Sequence, residues 1–400
     1  MFPFSELANG QGNISINEPM LVWDSVVQDS LRLCLDHYTM SKNCSFVIDP
    51  SLVNRTYAFS VPDLLEVSCH VIFFLIGSGL NCFALYQLLS RGPLTTGTPL
   101  QKLAAQRFNL MKIHLSIVCL LVLLSFTPLH LIWKTTKTWQ AGDLACRILK
   151  FVDVLVFYAL SNMIVIISLD RCLTLHRRQE HPRASRRRLH AMLWLSWSAA
   201  LLFSAPQLHI WRQFQPVHYF TICTTIWHIW RWDHCRFSQL AAEHVYRLVH
   251  LALVFWLPLI LICVSYSFVL RKLALHQQAR RGGQTVATRS QGRAVLVAIH
   301  HPPEESLTST ATAALDDGSA LRRPARRTTR FDRAKASALH QSVYIVGAYV
   351  VCWLPYNALA LCRSLSPDTL RGLVQYEGFL RALMLLNAVL NPVFYLRKAP

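Results

Sequence analysis

Charged residues are scarce in this chain of 400 residues. Asp, Glu, Lys and Arg together make up 15% of the sequence, and hydrophobic residues make up 53%. Soluble globular domains carry about 25% charged residues, so the composition argues against an ordinary soluble enzyme and predicts a membrane protein. The sequence also lacks an HExxH motif, a Cys/His nucleophile pair and an inverted repeat of broken helices. An intramembrane enzyme or a transporter would be expected to show such features.

Acidic residues are scarcer still, with 21 against 40 basic residues and a formal net charge of +19. Such an excess can indicate nucleic-acid binding when it is gathered on one surface. Here most of it lies between apolar runs, at residues 177–188 and 271–335. Basic loops of this kind face the cytoplasm under the positive-inside rule, so we expect no nucleic-acid partner.

Residues 1–63 lack the basic start and compact apolar core of a signal peptide, so we expect no cleavable leader. The same segment is poor in Lys and Arg and holds three N-glycosylation sequons, which begin at Asn13, Asn43 and Asn54. Sequons are used on the external side of membranes. We therefore predict a glycosylated N-terminal segment outside the cell.

Seven apolar runs are long enough to cross a bilayer. Each must be helical, because lipid offers no partner for backbone N–H and C=O groups. The sequence thus predicts an all-α membrane protein, a seven-transmembrane helix bundle of the plasma membrane with its N-terminus outside. We expect helices 1–5 in 64–271, a disordered basic cytoplasmic loop in 272–337, helices 6 and 7 in 338–396, and a minimal tail at 397–400. The runs are 64–89, 109–133, 144–173, 189–211, 244–271, 338–362 and 373–396.

Several residues in these runs match a known pattern in their order and spacing. They are Asn81, Trp197, Pro206, Pro258, Tyr266, Cys352–Tyr356, Asn387 and Asn391–Tyr395. On these marks the chain resembles a rhodopsin-class G-protein-coupled receptor. The stretches Trp139–Cys146, Ile167–Arg171 and Ala205–Leu208 narrow the resemblance to the branch of gonadotropin-releasing-hormone and adipokinetic-hormone receptors.

The resemblance implies a receptor, not an enzyme, that lies in membrane lipid, binds an extracellular peptide, activates a heterotrimeric G protein and needs no cofactor. It also implies a disulfide between Cys146 and Cys223, while Cys235 has no assigned partner and could pair with Cys34 or Cys44. The residues that it assigns to the conformational switch and to G-protein coupling are Asp170, Arg171, Trp353, Pro355, Asn391, Pro392 and Tyr395.

Two departures from the family pattern bear on ligand choice. Cys119 stands where relatives carry a carboxylate or an asparagine facing Asn391, so we expect the sodium-ion pocket of many such receptors to be absent. His130 and Asp153 stand where the vertebrate hormone receptors carry an aspartate and a lysine. We expect Asp153 to face a cationic group of the ligand, since a buried carboxylate needs a partner; the alternative partner is internal, His130 or Lys150. The predicted ligand-binding residues are His130, Lys134, Asp153, Tyr158, Tyr356 and Glu377.

Other kinds of protein remain as alternatives. A receptor for an amine or another small cation also uses a carboxylate at the position of Asp153. It would be expected to add hydroxyl groups near His250 and Val254 and an aromatic hydroxyl at Leu385, and none is present. A transporter is the alternative from a different class.

The segment 220–235 is rich in Trp and His. Its His228, His234 and Cys235 could be imagined to hold a metal ion, but they have no regular spacing on a known element. We therefore predict an aromatic lid at this segment and no metal site in the protein.

Overall fold

The computed structural model describes residues 61–90, 99–136, 138–176, 181–217, 220–234, 240–275, 278, 323–365 and 376–396. Seven helices in these ranges are long and apolar enough to cross a membrane, which confirms the predicted seven-helix bundle. We number them in chain order. Span 1 is Asp63–Ser90, span 2 is Lys102–Thr136, span 3 is Gly142–His176, span 4 is Pro182–Ile210, span 5 is Ala241–Leu275, span 6 is Leu339–Leu365 and span 7 is Glu377–Leu396.

Some helices extend beyond these limits or are built from several segments. The helical segments are Val61–Ser90, Pro99–Leu121, Val122–Phe126, Thr127–Thr136, Gly142–His176, Pro182–Ser204, Gln207–Ile210, Ile226–His234, Leu240–Leu251, Ala252–Trp256, residues 257–275, Arg323–Leu365 and Glu377–Leu396. Val122–Phe126 and Ala252–Trp256 are π-helical. A two-stranded antiparallel hairpin, β1 (Trp211–Val217) and β2 (Phe220–Thr225), follows span 4.

Prolines explain the two π-helical segments. Pro128 and Pro258 each lie shortly after one of them. A proline has no N–H for the carbonyl four residues earlier, so the preceding turn must rearrange, and a π bulge is one way to do so. In span 5 the carbonyl concerned belongs to Val254, and the hydroxyl of Tyr349 in span 6 donates to it at 3.4 Å. A neighbouring helix thus supplies the missing donor.

Span 3 forms the centre of the bundle. Within its apolar window 67% of the residues are buried, against 22% for span 1. Its Leu160, Met163, Ile164 and Ile167 are almost fully buried in the main hydrophobic cluster. Side chains on the outside of other spans, such as Trp194, are large, apolar and exposed. A water-soluble protein would not leave so much apolar surface exposed, whereas lipid can cover it.

Three features differ from the sequence-based predictions. The hairpin was not predicted: its strands are short, and β2 belongs to the segment that we interpreted as an aromatic lid. The helix of span 6 begins at Arg323, so residues 323–337, predicted to belong to a disordered loop, are helical. The helix of span 5 continues to Leu275, past the predicted limit at 271. The sequons at Asn13, Asn43 and Asn54, together with residues 279–322, lie outside the described residues.

Candidate ligand and signalling sites

A disulfide joins Cys146 in span 3 to Cys223 in β2, as predicted. Trp139 packs against both cysteines, and its backbone N–H donates to the carbonyl of Thr221 at 2.7 Å. The hairpin is therefore attached covalently and by main-chain bonding to the start of span 3. We call this the disulfide end of the bundle, and we call the opposite end, which carries Arg171, the Arg171 end.

The turn into span 3 strengthens this attachment. Gly142 has a φ of 87°, in the region that strongly favours glycine. Its carbonyl accepts a hydrogen bond from the indole N–H of Trp139 at 2.8 Å. The next residue, Asp143, accepts the backbone N–H of Gln213 in β1 at 2.8 Å. Both strands of the hairpin are thus held against span 3.

Two carboxylates of span 1 hold two of the predicted ligand-binding residues. Glu66 Oε1 lies 2.7 Å from His130 Nε2, and Glu66 Oε2 lies 2.9 Å from Lys134 Nζ. Asp63 Oδ1 lies 2.6 Å from the same ammonium group. Both carboxylates are buried. A ligand that uses His130 or Lys134 must therefore share or replace an internal ion pair between spans 1 and 2.

Arg381 in span 7 organises a second group. Glu377 accepts from Arg381 at 2.9 Å and from Arg363 in span 6 at 2.8 Å. The guanidinium carbon of Arg381 lies 5.5 Å from the ring centre of Tyr356, within range of a cation–π interaction. Arg381 also interacts electrostatically with Asp153. Predicted ligand-binding residues from spans 3, 6 and 7 therefore share one arginine that the sequence analysis did not identify.

Asp153 has an incomplete set of partners. Its Oδ2 lies 3.4 Å from Lys150 Nζ, and its buried Oδ1 has no hydrogen-bond partner. Lys150 is one of the two internal partners considered above. Its ammonium lies 4.1 Å from the ring of Trp133 and 5.0 Å from that of Trp211. These aromatic faces hold the ammonium beside the carboxylate of Asp153, but the ammonium does not satisfy both carboxylate oxygens.

Tyr158 lies among different neighbours. Its hydroxyl is 3.0 Å from Nδ1 of His250 in span 5, and the two rings meet edge to face at 5.4 Å. His250 also stacks against Tyr246. These three rings bring span 3 and span 5 together, and no ion pair described in the structure includes Tyr158 directly.

Trp353 is buried among aromatic rings in the middle of the bundle. Its ring centre lies 4.9 Å from that of Tyr349 and 5.9 Å from that of Phe157. Tyr349 in turn exchanges a hydrogen bond with Ser161 of span 3 at 2.8 Å. Pro355 lies in the same helix, two residues further on. Rotation of Trp353 would therefore disturb contacts between spans 3 and 6 beside a proline-weakened turn.

Cys119 and Asn391 meet between spans 2 and 7, as expected from their places in the sequence. The amide of Asn391 donates to Cys119 Sγ at 3.4 Å. Pro392 lies inside the helix of span 7. Towards the Arg171 end, the buried hydroxyls of Tyr395 and Ser116 hydrogen-bond to each other. Span 7 is thus linked to span 2 by two neutral contacts.

Asp170 is the centre of an ion-pair cluster at the Arg171 end. Its Oδ1 pairs with Arg107 of span 2, and its Oδ2 lies 3.0 Å from the guanidinium of Arg171. Arg107 also donates to the hydroxyl of Ser185 in span 4. The guanidinium of Arg171 lies 4.5 Å from the ring centre of Phe108. Arg107 of span 2 therefore joins Asp170 of span 3 to Ser185 of span 4.

The sequence profile described as "7 transmembrane receptor (rhodopsin family)" matches residues 101–395 of the chain. The chain belongs to the rhodopsin family of seven-transmembrane receptors. Among its relatives, "G-protein coupled receptor daf-38" of Caenorhabditis elegans is 30% identical over 376 residues, which cover 83% of this chain and 88% of the relative. The "Gonadotropin-releasing hormone II receptor" of Chlorocebus aethiops is 27% identical, over 84% of this chain and 76% of the relative. The human "Gonadotropin-releasing hormone receptor" is 26% identical, over 72% and 76%.

Membership of the rhodopsin family confirms several predictions. The protein is a receptor and not an enzyme, and it is a multi-pass protein of the plasma membrane. The relatives also confirm the resemblance to the branch of gonadotropin-releasing-hormone receptors. The roles of the individual ligand and switch residues stay predictions.

Sequence reasoning missed several charged residues of this rhodopsin-family receptor. Glu66 and Asp63 lie at the start of span 1, and Arg107 and Arg381 lie inside or beside apolar runs. Charged residues inside membrane spans are rare and usually functional, which was the available signal. It does not indicate which residue each charge meets, because that depends on how the helices are rotated against one another.

Proposed function

We propose that this receptor binds a peptide of the gonadotropin-releasing-hormone or adipokinetic-hormone type and transmits binding to a heterotrimeric G protein. The relatives named as gonadotropin-releasing hormone receptors support the peptide class. In this proposal the N-terminus and the disulfide end are extracellular, and the Arg171 end is cytoplasmic. The basic residues between spans 3 and 4 support this orientation under the positive-inside rule.

The observation that carries the proposal is the unsatisfied carboxylate of Asp153 close to the disulfide-bonded hairpin. Its Oδ1 is buried and has no hydrogen-bond partner. The Lys150 ammonium at 3.4 Å from Oδ2 is beyond the 2.7–2.9 Å usual for a charge-assisted hydrogen bond. A cationic side chain or free amine of the peptide would gain a strong bond there. His130, Lys134, Tyr158, Tyr356 and Glu377 complete the proposed ligand-binding set.

The proposed signal passes through the aromatic cluster to the Arg171 end. A ligand shifts a conformational equilibrium only by binding one state better than the other. Peptide bound near Tyr356 would press on span 6, where Trp353 packs against span 3 beside Pro355. Span 6 would then move outward at the Arg171 end and expose the surface around Arg171 to the G protein. The same shift would involve Asn391 and Tyr395, which bond span 7 to span 2, and Pro392 inside the helix of span 7.

The proposal is tested by a calcium and cAMP screen of cells that express the chain, using amidated neuropeptides and a parallel set of biogenic amines. We expect a peptide to give a saturable response that Arg171→Ala abolishes while labelled peptide still binds. Amines alone giving the response would support the small-cation alternative and overturn the peptide assignment. An N-terminal epitope that antibody reaches only in permeabilised cells would overturn the proposed orientation.

A further inference from the structure

A group of metal-ligating side chains at the disulfide end includes the Glu66–His130 pair. Glu66 and His70 of span 1 and His130 of span 2 each offer one ligand atom, and all three atoms lie within 4.8 Å of one another. Glu66 and His70 are separated by one helical turn and therefore share a face of span 1. Two imidazoles and one carboxylate form a ligand set that Zn²⁺ uses in proteins, with a water molecule as the fourth tetrahedral ligand.

His70 has one ring nitrogen that is hydrogen-bonded and one that is available to bind a metal ion. Its Nδ1 lies 2.8 Å from the carbonyl oxygen of Glu66, and a carbonyl can only accept, so Nδ1 carries the hydrogen. The neutral ring then presents an unshared electron pair at Nε2. That nitrogen is buried and has no hydrogen-bond partner, and the whole residue is 0% exposed. Metal-ligating histidines usually donate their other ring N–H to a carbonyl or carboxylate in this way.

The other two ligands are already close to each other. His130 Nε2 lies 2.7 Å from Glu66 Oε1, and the rings of His70 and His130 stack at 4.6 Å. Zn²⁺ bonds of about 2.0–2.2 Å place tetrahedral ligand atoms roughly 3.4 Å apart, so movements of about 1 Å are enough. When the metal binds, the hydrogen on His130 Nε2 is replaced and Nδ1 of the same ring takes up a hydrogen, so the imidazole remains neutral.

The surrounding charge can accommodate a divalent cation. Lys134 pairs with Asp63 and with the second oxygen of Glu66. With both imidazoles neutral, Glu66, Asp63 and Lys134 sum to a formal charge of −1 before metal binds. Arg381 of span 7 also acts on His130, but it is itself paired with Glu377. Glu66 Oε1 is the oxygen that faces the histidine, so Lys134 can keep Oε2. A Cβ placed on Gly378 would collide with the Glu66 carboxylate, which shows that span 7 also confines this ligand.

We propose that Glu66, His70 and His130 form a Zn²⁺ site that ties span 1 to span 2 at the disulfide end. This replaces the sequence-based expectation of no metal site. Two nitrogen donors disfavour Ca²⁺ and Mg²⁺, which prefer oxygen ligands. The site goes beyond the proposed peptide function, and zinc acts there as a separate ligand. By binding the arrangement that holds the three ligands together, it stabilises that conformation.

The test uses full-length receptor purified in detergent, treated with chelator and titrated with Zn²⁺ at neutral pH. We expect a rise in the midpoint of thermal unfolding that saturates at one Zn²⁺ per chain and is reversed by chelator. Co²⁺ should give the intense visible absorption of a tetrahedral complex. His70→Ala and Glu66→Gln should remove the saturable rise, whereas Mg²⁺ and Ca²⁺ should not produce it.

Two further variants keep the test decisive. His228→Ala combined with His234→Ala removes the histidines of the other candidate metal segment and should leave zinc binding unchanged. His70→Gln has nearly the reach of the imidazole but lacks its nitrogen lone pair, so it should lose the saturable rise even if His70→Ala does not fold. No saturable shift in the unmodified receptor, or a shift lost in the His228/His234 variant but kept in His70→Ala, overturns the proposal. Its outcome is independent of whether any peptide activates the receptor.

Discussion

Span 3 carries two buried aspartates whose surroundings differ. Asp170 has both carboxylate oxygens engaged, one with Arg107 and the other with Arg171 at 3.0 Å. Asp153 has Lys150 at 3.4 Å from one oxygen and no hydrogen-bond partner for the other. They are 1% and 6% exposed respectively, so burial does not distinguish them. The difference lies in the number and closeness of their partners.

That difference assigns opposite tasks to the same type of residue. A buried charge costs several kcal/mol of desolvation, which close partners must offset. Asp170 is fully paired, and it therefore stabilises the arrangement of spans 2, 3 and 4 that brings its partners together. Asp153 retains bonding capacity that a ligand can use. In our proposal Asp170 stabilises the resting state of the receptor. The bond between the ligand and Asp153 supplies part of the free energy that shifts the receptor out of that state.

The largest expected effect comes from breaking the ion-pair cluster around Asp170 at the Arg171 end. In Asp170→Asn, Arg107 and Arg171 keep their charges and lose their shared carboxylate. Breaking a buried pair costs about 3–5 kcal/mol, so we expect a markedly lower thermal midpoint in detergent and raised nucleotide exchange without agonist. Asp143→Asn is a control on the same helix, because the Asp143–Arg147 pair is partly exposed and such pairs contribute about 0–1 kcal/mol. The asparagine also keeps an oxygen that can accept the N–H of Gln213. Equal stability of the two variants would show that Asp170 does not hold the resting state.

A smaller effect on stability, but a clear effect on ligand affinity, is expected at Asp153. Asp153→Asn keeps the shape and removes the charge, so agonist potency should fall about 10–100-fold, equivalent to about 1.4–2.8 kcal/mol. Basal exchange should stay near that of the unmodified receptor. The thermal midpoint should fall less than in Asp170→Asn, because Lys150 loses a partner at 3.4 Å but keeps its contacts with Trp133 and Trp211. The measurement is a concentration–response curve together with labelled-peptide binding.

A double-mutant cycle decides whether the carboxylate faces a cation. A peptide whose cationic group is made neutral should lose potency on the unmodified receptor and lose little more on Asp153→Asn. Additive losses would mean that the group binds elsewhere. Lys150→Met removes the internal competitor at 3.4 Å. Neutralising the cationic group of the peptide should therefore cost more potency on this variant than on the unmodified receptor.

The contrast between the two aspartates was only partly predictable from sequence. Seven long apolar runs determine the number of helices, because lipid requires every backbone group to be paired within a helix. The Cys146–Cys223 disulfide and the contact between Cys119 and Asn391 followed from the family pattern, which fixes depth along each helix. These predictions were confirmed in the structure.

The partners of the charged residues could not be predicted in the same way. Arg107 reaches Asp170 from span 2, and Glu66 reaches His130 from span 1, across sequence distances that no local pattern encodes. In a membrane bundle apolar residues face both lipid and core, so hydrophobic periodicity indicates the rotation of a helix poorly. The hairpin was missed for another reason: its pairing is stabilised by the disulfide and by bonds to span 3.

A weaker perturbation of the Arg171 end tests whether the hydroxyl of Ser185 positions Arg107. Ser185→Ala removes the hydroxyl that accepts from Arg107 and leaves the ion pair with Asp170 in place. A hydrogen bond to a charged group contributes about 1.5–3 kcal/mol at most, and Arg107 retains its main partner. We therefore expect a modest rise in basal exchange, well below that of Asp170→Asn. An effect as large as that of Asp170→Asn would instead place the resting-state restraint on span 4.

The smallest expected effect is that of sodium on the unmodified receptor. Asn391 faces the thiol of Cys119, and a thiol is a poor ligand for a hard cation, which prefers charged oxygen. Physiological sodium should therefore leave agonist affinity unchanged, when choline at equal ionic strength is the comparison. Cys119→Asp puts a carboxylate beside Asn391 and should make agonist affinity fall as sodium rises, because the ion would stabilise the resting packing of spans 2 and 7. A sodium effect in the unmodified receptor that Cys119→Ala abolishes would refute this prediction and show that the thiol position already takes part in an ion site.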